Sequence, residues 1–243
     1  MLLRNRLFKR EEPDMSAAKI YIFCEGKDRE YNYFKYFEGI DSRLNLVIYK
    51  LDGTEDNSPS GLLKLAEESL IKTEDNPKPL YDYRPDQDNV WIVLDTDRDK
   101  FDSRKNALVE VRQNCKEKNW GVAQSNPCFE VWLYYHQEST KPTFDEIEVP
   151  NKWKEHLGKV FSGGFDTRKH PLLIQTAIVN AEQHFQQNEH GFPDIATTEV
   201  FRLAQHILAI GKIKEKFSNT LNQSSANFTT PASSRSGGAH QTP

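Results

Sequence analysis

Cysteine is scarce in this chain, and the few present form no pattern. Cys24, Cys115 and Cys128 are an odd number without paired spacing, which excludes a disulfide framework and a thiolate zinc site. A reducing, cytoplasmic compartment is the resulting expectation. No apolar run approaches the roughly 18 residues of a membrane helix, so a soluble protein without membrane contact is expected. The first twelve residues run from basic to acidic and lack a signal-peptide apolar core. No internal repeat is visible. Positive charge is not in excess either: 32 Lys and Arg against 36 Asp and Glu leave a net charge of −4. That argues against a general nucleic-acid coat protein, yet leaves room for an enzyme that meets phosphates through a local patch and a metal.

What is present is enough for a core. Hydrophobic residues make up 37% of 243 positions, which fits one medium domain, or one domain with a small helical appendage. The chain is organised around Val90-Trp91-Ile92-Val93-Leu94, which runs straight into Asp95-Thr96-Asp97-Arg98-Asp99. A short, continuous apolar run of this kind reads as a strand buried on both faces, the habit of parallel sheets. Ligands of open α/β sheets bind beyond the carboxyl ends of the strands, where these acids emerge. Three carboxylates leaving one strand repel each other unless a cation sits among them. For Asp99 a solvated loop charge or helix cap is the preferred reading; for Asp95 and Asp97 it is metal.

Taken in order, residues 1–17 read as a flexible lead. Lys19 to Cys24 is a second apolar run, ending in Glu25-Gly26, and Tyr31, Phe34 and Phe37 then recur at helical spacing. Leu44 to Leu51 is a strand, residues 52–60 a loop, and Leu62, Leu63, Ala66 and Leu70 one face of a helix. Past the acidic cluster, Asp102 or Ser103 caps a helix bearing Leu108, Val111 and Cys115, and Trp120 to Gln124 is a fourth strand. Strand and helix alternate, which predicts an α/β layer fold with a mainly parallel sheet.

Ser125-Asn-Pro-Cys-Phe-Glu-Val-Trp132 is the second informative stretch. Asn126 reads as an N-cap and Pro127 as the first helical residue. Phe129, Trp132, Leu133 and His136 form the buried face. Glu130 lies in the first turn, either as a simple helix-start charge or as a member of the acidic rim. His136 is read as a core histidine and Cys128 as a small buried hydrophobe. Beyond it, residues 138–152 read as a charged connection and Phe161 to His170 as a flexible basic turn. Pro171 opens a helix with Ile174, Ile178, Ala181 and Phe185, and Thr197-Thr-Glu opens the last one. From Ser218 the composition predicts a disordered tail.

Glu25, Asp95, Asp97 and Glu130 thus converge on one rim without histidine or thiol partners. That is a hard-ligand set suited to Mg2+ or Mn2+, able to act on a phosphodiester. Lys27, Arg29, Arg98 and the Arg168-Lys169-His170 turn are the candidate phosphate contacts.

Phe23-Cys-Glu-Gly26 with Tyr33-Phe34, then Leu94-Asp-Thr-Asp97, then Ser125-Asn-Pro-Cys-Phe-Glu-Val-Trp132, resembles the RloB-like family of Toprim-domain proteins over roughly residues 18–215. The resemblance implies a Toprim-like core, a small Rossmann-like parallel sheet, over residues 18–137. A helical extension over 138–217 and a tail over 218–243 would follow. It implies a metal site of Glu25, Asp95 and Asp97, with Glu130 from the Ser-Asn-Pro motif. It also implies a nuclease effector of bacterial restriction or abortive-infection loci, acting on RNA such as tRNA, or on DNA, with an ATPase partner. The competing expectation is a non-catalytic subunit that uses the same fold to bind its ATPase partner or a nucleic acid. An aspartate-nucleophile phosphatase would need a downstream Lys and a second acidic pair that the sequence does not supply.

Overall fold

The alternation of β1 (Lys19–Cys24) decides the layering of the molecule. Ile20, Ile22 and Cys24 enter one apolar cluster, while Tyr21 and Phe23 enter another on the opposite face of the sheet. Successive strand side chains point to opposite faces, so a run apolar at every position is one covered on both sides. β3 (Asn89–Asp95) repeats the arrangement, with Val90, Ile92 and Leu94 facing the second cluster and Trp91 and Val93 the first. The computed structural model describes residues 8–97, 101–210 and 213–228. Arg98 and Asp99 therefore lie outside the described residues.

The five strands run in the order β2-β1-β3-β4-β5. β2 (Asn45–Tyr49), β1, β3 and β4 (Gly121–Asn126) are parallel, and β5 (Thr197–Thr198) closes one edge antiparallel to β4. α1 (Arg29–Lys35) covers one face, and α2 (Pro59–Leu70) and α3 (Phe101–Glu117) cover the other. From β1 the chain moves outward to β2, then returns past β1 to β3. The gap between the carboxyl ends of β1 and β3 is therefore the topological switch point, the place where such sheets open a ligand crevice. This is the Toprim-like α/β arrangement expected, with a helical part at its C-terminal end.

That helical part comprises α4 (Glu130–Tyr134), α5 (Pro150–Val160), α6 (Ile174–His184), α7 (Val200–Ala209) and α8 (Ile213–Phe228). A 3₁₀ turn, His170–Leu173, precedes α6. α4 to α7 share the apolar cluster of α1 and the β1 face.

Several local expectations are corrected. Asn126 does not cap a helix: it is the last residue of β4, and its side chain donates to Pro193 O at 2.8 Å. The Asn126–Pro127 peptide is cis, and α4 begins three residues beyond Pro127. The connection expected over residues 138–152 ends at Val149, because Pro150 starts a helix over residues 150–160 whose Trp153 and Leu157 reach the core. Thr197 and Thr198 pair as β5 before α7 starts. Residues 218–228 are helical, not disordered, carried on α8 from the buried Phe217. Within the lead, Arg10 donates to Tyr36 O and Glu38 O, and Phe8 packs edge-on against Tyr36. Residues 8–17 are thus bound to the body of the fold.

Candidate functional site

Asp95 ends β3 with its side chain on the face of Trp91 and Val93, toward α1 and α4. Glu25 follows β1, and its backbone N–H extends the ladder to Val93 O at 3.0 Å. The Asp95 N–H in turn donates to Glu25 Oε2 at 3.1 Å, so the two acids are held across the switch point. Glu130, in the first turn of α4, accepts from Arg29 Nη1 at 2.6 Å. The structure thus brings Glu25, Asp95, Asp97 and Glu130 onto one rim.

Two participants were not legible in the sequence. Glu30, in the first turn of α1, is buried and turned into the same space. A Cβ on Gly26 would overlap the Glu30 carboxyl, so glycine at that position makes room for the acid. Its position four residues before Phe34, on the apolar side of α1, was the available signal. Arg104, on α3, places Nη2 2.8 Å from Glu25 Oε2 and Nη1 2.7 Å from Asp97 Oδ2. It joins Glu25 from 79 positions away, and no local pattern announces such a pairing.

The electrostatics are those of crowded acids. Burial pushes Asp95 well above the ordinary carboxylate range, and Glu30, Glu25, Glu130 and Asp97 push it further. No hydrogen bond or ion pair among the described residues reaches its carboxylate. Glu30 is pushed up to about 7 by burial, then by Glu130 and Glu25. Burial also raises Glu25, against the opposing pull of Arg104. Among the described residues, five carboxyl groups face two guanidiniums, those of Arg29 and Arg104. The donors are hard oxygens, the chemistry Mg2+ and Mn2+ accept. Among the described residues, however, no three His, Cys, Asp or Glu side chains stand arranged around a cation position. Arg104 already spans two of the acids. The donor set therefore fits a divalent ion in type, while its present arrangement is closed around an internal cation.

The loop carrying the aspartates is fixed from β4. Thr96 N–H donates to Ser125 O at 2.9 Å and Asp97 N–H to Pro127 O at 3.0 Å. The second bond holds Asp97 at φ +45°, a left-handed conformation that Asp tolerates better than most residues. Gln124, fully buried, donates to Thr96 Oγ1 at 2.9 Å and accepts from Arg112 at 3.2 Å. Arg112 forks onto the buried Glu199 at 2.7 and 3.0 Å. A polar chain thus runs from the aspartate loop to the start of α7, its members satisfying one another as buried polar groups must.

The candidate phosphate contacts are not brought together. Arg29 stands at the acidic rim, engaged by Glu130, while the charge of Lys27 acts on Asp52. Arg168 forks onto Asp166 at 2.9 and 2.8 Å. His170 accepts from Asp166 N–H at 2.9 Å, and its ring lies against Phe161. Arg168 and Lys169 line a separate cavity of about 820 Å³ with Arg10, Lys35 and Tyr36. His136 is a satisfied core histidine: Tyr33 OH and Trp132 O lie 3.0 and 3.1 Å from its ring nitrogens. Cys128 is buried, and burial with Glu130 and Asp95 nearby drives its thiol upward, away from a thiolate nucleophile.

Fold and site together define a class: an α/β protein with a mostly parallel sheet and a cluster of acids at its switch point. The family model for RloB-like proteins matches residues 20–207. The chain belongs to the RloB-like protein family. Comparisons with curated proteins and with solved structures found no match. No helix among the described residues is long and apolar enough to cross a membrane.

Proposed function

We propose that this chain is a metal-dependent nuclease effector of a bacterial anti-phage, abortive-infection system. It hydrolyses phosphodiester bonds in RNA, tRNA included, or in DNA, under the control of an ATPase partner. The observation that carries the reading is Asp95, which stands at the switch point with no hydrogen bond or ion pair to its carboxylate among the described residues and with Glu25, Glu30 and Glu130 around it. Such an arrangement favours a multivalent cation over a set of solvated charges.

Glu25, Asp95 and Asp97 would hold Mg2+ or Mn2+, and Glu130 would face the reacting phosphate from the start of α4. When bound, the ion would polarise the phosphodiester and lower the pKa of a water molecule. The chain's own residues orient the reaction. The Gln124–Thr96 bond fixes the aspartate loop, and Lys27 and Arg29 offer positive charge to the incoming backbone. Family membership supports the defence role and the ATPase partner.

One observation favours the second reading, a non-catalytic Toprim-fold subunit that binds an ATPase partner or nucleic acid. Arg104 neutralises Glu25 and Asp97 without any metal. The discriminating experiment is mapped cleavage of tRNA, single-stranded DNA and duplex DNA by the purified chain, with and without the proposed ATPase partner. Mg2+-dependent cut ends are expected. Bound but intact nucleic acid under every condition would leave the non-catalytic reading.

A further inference from the structure

We infer that Arg104 is an internal counter-ion that closes the acidic site, and that a divalent cation and a substrate phosphate displace it together. The inference rests on the cation-site reading above and concerns how that site is regulated. Arg104 is 13% exposed, and its fork is divided between two different acids, Glu25 and Asp97. Its remaining nitrogen, Nε, is buried without a hydrogen-bond partner. Among the described residues, the two carboxylates are therefore the only hydrogen-bond partners of the guanidinium.

The helix does not help to hold it. Arg104 lies in the first turn of α3, where the macrodipole disfavours a cation. Glu25 Oε2 is also the oxygen that accepts the Asp95 N–H, so one carboxyl oxygen serves both the scaffold and the arginine. A metal ion taking Glu25 and Asp97 as ligands leaves Arg104 without its anions. The freed fork matches the two non-bridging oxygens of a phosphodiester, which guanidinium binds bidentately. Cation and phosphate thus each lower the cost of the other's binding, and the coupling is reciprocal by linkage. Without substrate, Arg104 keeps the acids occupied and the affinity for metal low.

The test is Mn2+ binding to the full chain, followed by the electron paramagnetic resonance of the free ion, for wild type, Arg104→Gln, Arg104→Lys and Asp95→Asn. Arg104→Gln is expected to tighten Mn2+ by about tenfold or more, in the range of typical coupling energies. Arg104→Lys is expected to fall between the two, because an ammonium keeps the charge but cannot bridge both acids. Dimethyl phosphate, the smallest phosphodiester, should tighten Mn2+ in wild type and leave Arg104→Gln unchanged. Circular dichroism checks that each variant is folded, and Arg104→Lys carries the test if Arg104→Gln is not. Wild-type affinity in both arginine variants, with Mn2+ bound and Asp95→Asn defective, would overturn the counter-ion role and leave the cation site standing. No change with dimethyl phosphate in wild type would overturn the coupling. Absence of Mn2+ binding to every protein, wild type included, would instead remove the cation-site reading beneath it.

Discussion

At the scale of single residues, the acids of the rim act against the fold that holds them. Asp95 is crowded by four other carboxyl groups and contacted by no cation among the described residues. Asp95→Asn should therefore abolish cleavage while leaving the melting temperature in EDTA at or above that of wild type, because it removes a repulsive charge. A lower melting temperature would mean that the ionised carboxylate is satisfied within the fold. His136 gives a pH prediction of the opposite kind. Burial lowers its pKa to about 3, so between about 6.5 and that value the unfolded chain binds a proton that the folded chain does not. Its contribution to stability is complete above the unfolded pKa. It declines as pH falls, by up to about 1.4 kcal/mol per pH unit. His136→Gln keeps an acceptor for Tyr33 without the titration. Urea unfolding between pH 6.5 and 4 should show a shallower acid loss for this variant, and an identical loss would place the proton elsewhere.

At the scale of elements, legibility followed local pattern. The runs at Lys19 to Cys24 and Val90 to Leu94 announced β1 and β3 because both faces of each strand are covered, and the acids at their ends announced the rim. The sequence puts the start of α4 too early because Asn126-Pro127 has the composition of a cap and first helical residue, while β4 continues through Asn126 to pair with β5. α5 escaped because prolines and charges dominate the segment before it, although Trp153 and Leu157 anchor it. α8 is illegible because Ser, Thr, Asn and Gln make up half of its residues. Its docking depends on a few residues such as Phe217, packed against Phe8, Tyr36 and Phe37. Glu30 and Arg104 were hidden for a different reason: their roles exist only once α1 and α3 are folded onto opposite faces of the sheet. Phe217→Ala should cost about 3–5 kcal/mol, the usual range for a buried Phe, in urea denaturation. A loss under about 0.5 kcal/mol, the size of an ordinary surface change, would mean that α8 does not dock through this ring.

At the scale of the whole molecule, a chain with net charge −4 has to approach a polyanion through local positive charge. Arg29 stands at the rim against Glu130 and Lys27 follows Glu25 by two positions, whereas Arg168 and Lys169 line a separate cavity, with Arg168 bound to Asp166. Neutralising Lys27 should weaken nucleic-acid binding across sequences and reduce the magnitude of the salt slope by about one, as expected for one lost phosphate contact. Arg168→Gln should change the slope less, because Asp166 already neutralises that charge. Equal slopes for all three proteins would reduce both residues to solvated surface charges. The central claim is that carboxylates gathered at the β1–β3 switch point hold a divalent ion that cleaves phosphodiesters. Its most direct measurement is the single-turnover cleavage rate of wild type and Asp95→Asn as Mg2+ is titrated from an EDTA-treated state. The predicted result is no cleavage in EDTA, a saturable rise with Mg2+ for wild type, and a rate at least about 10²-fold lower for Asp95→Asn. Cleavage that persists in EDTA, or an Asp95→Asn variant that cuts at the wild-type rate, would contradict it.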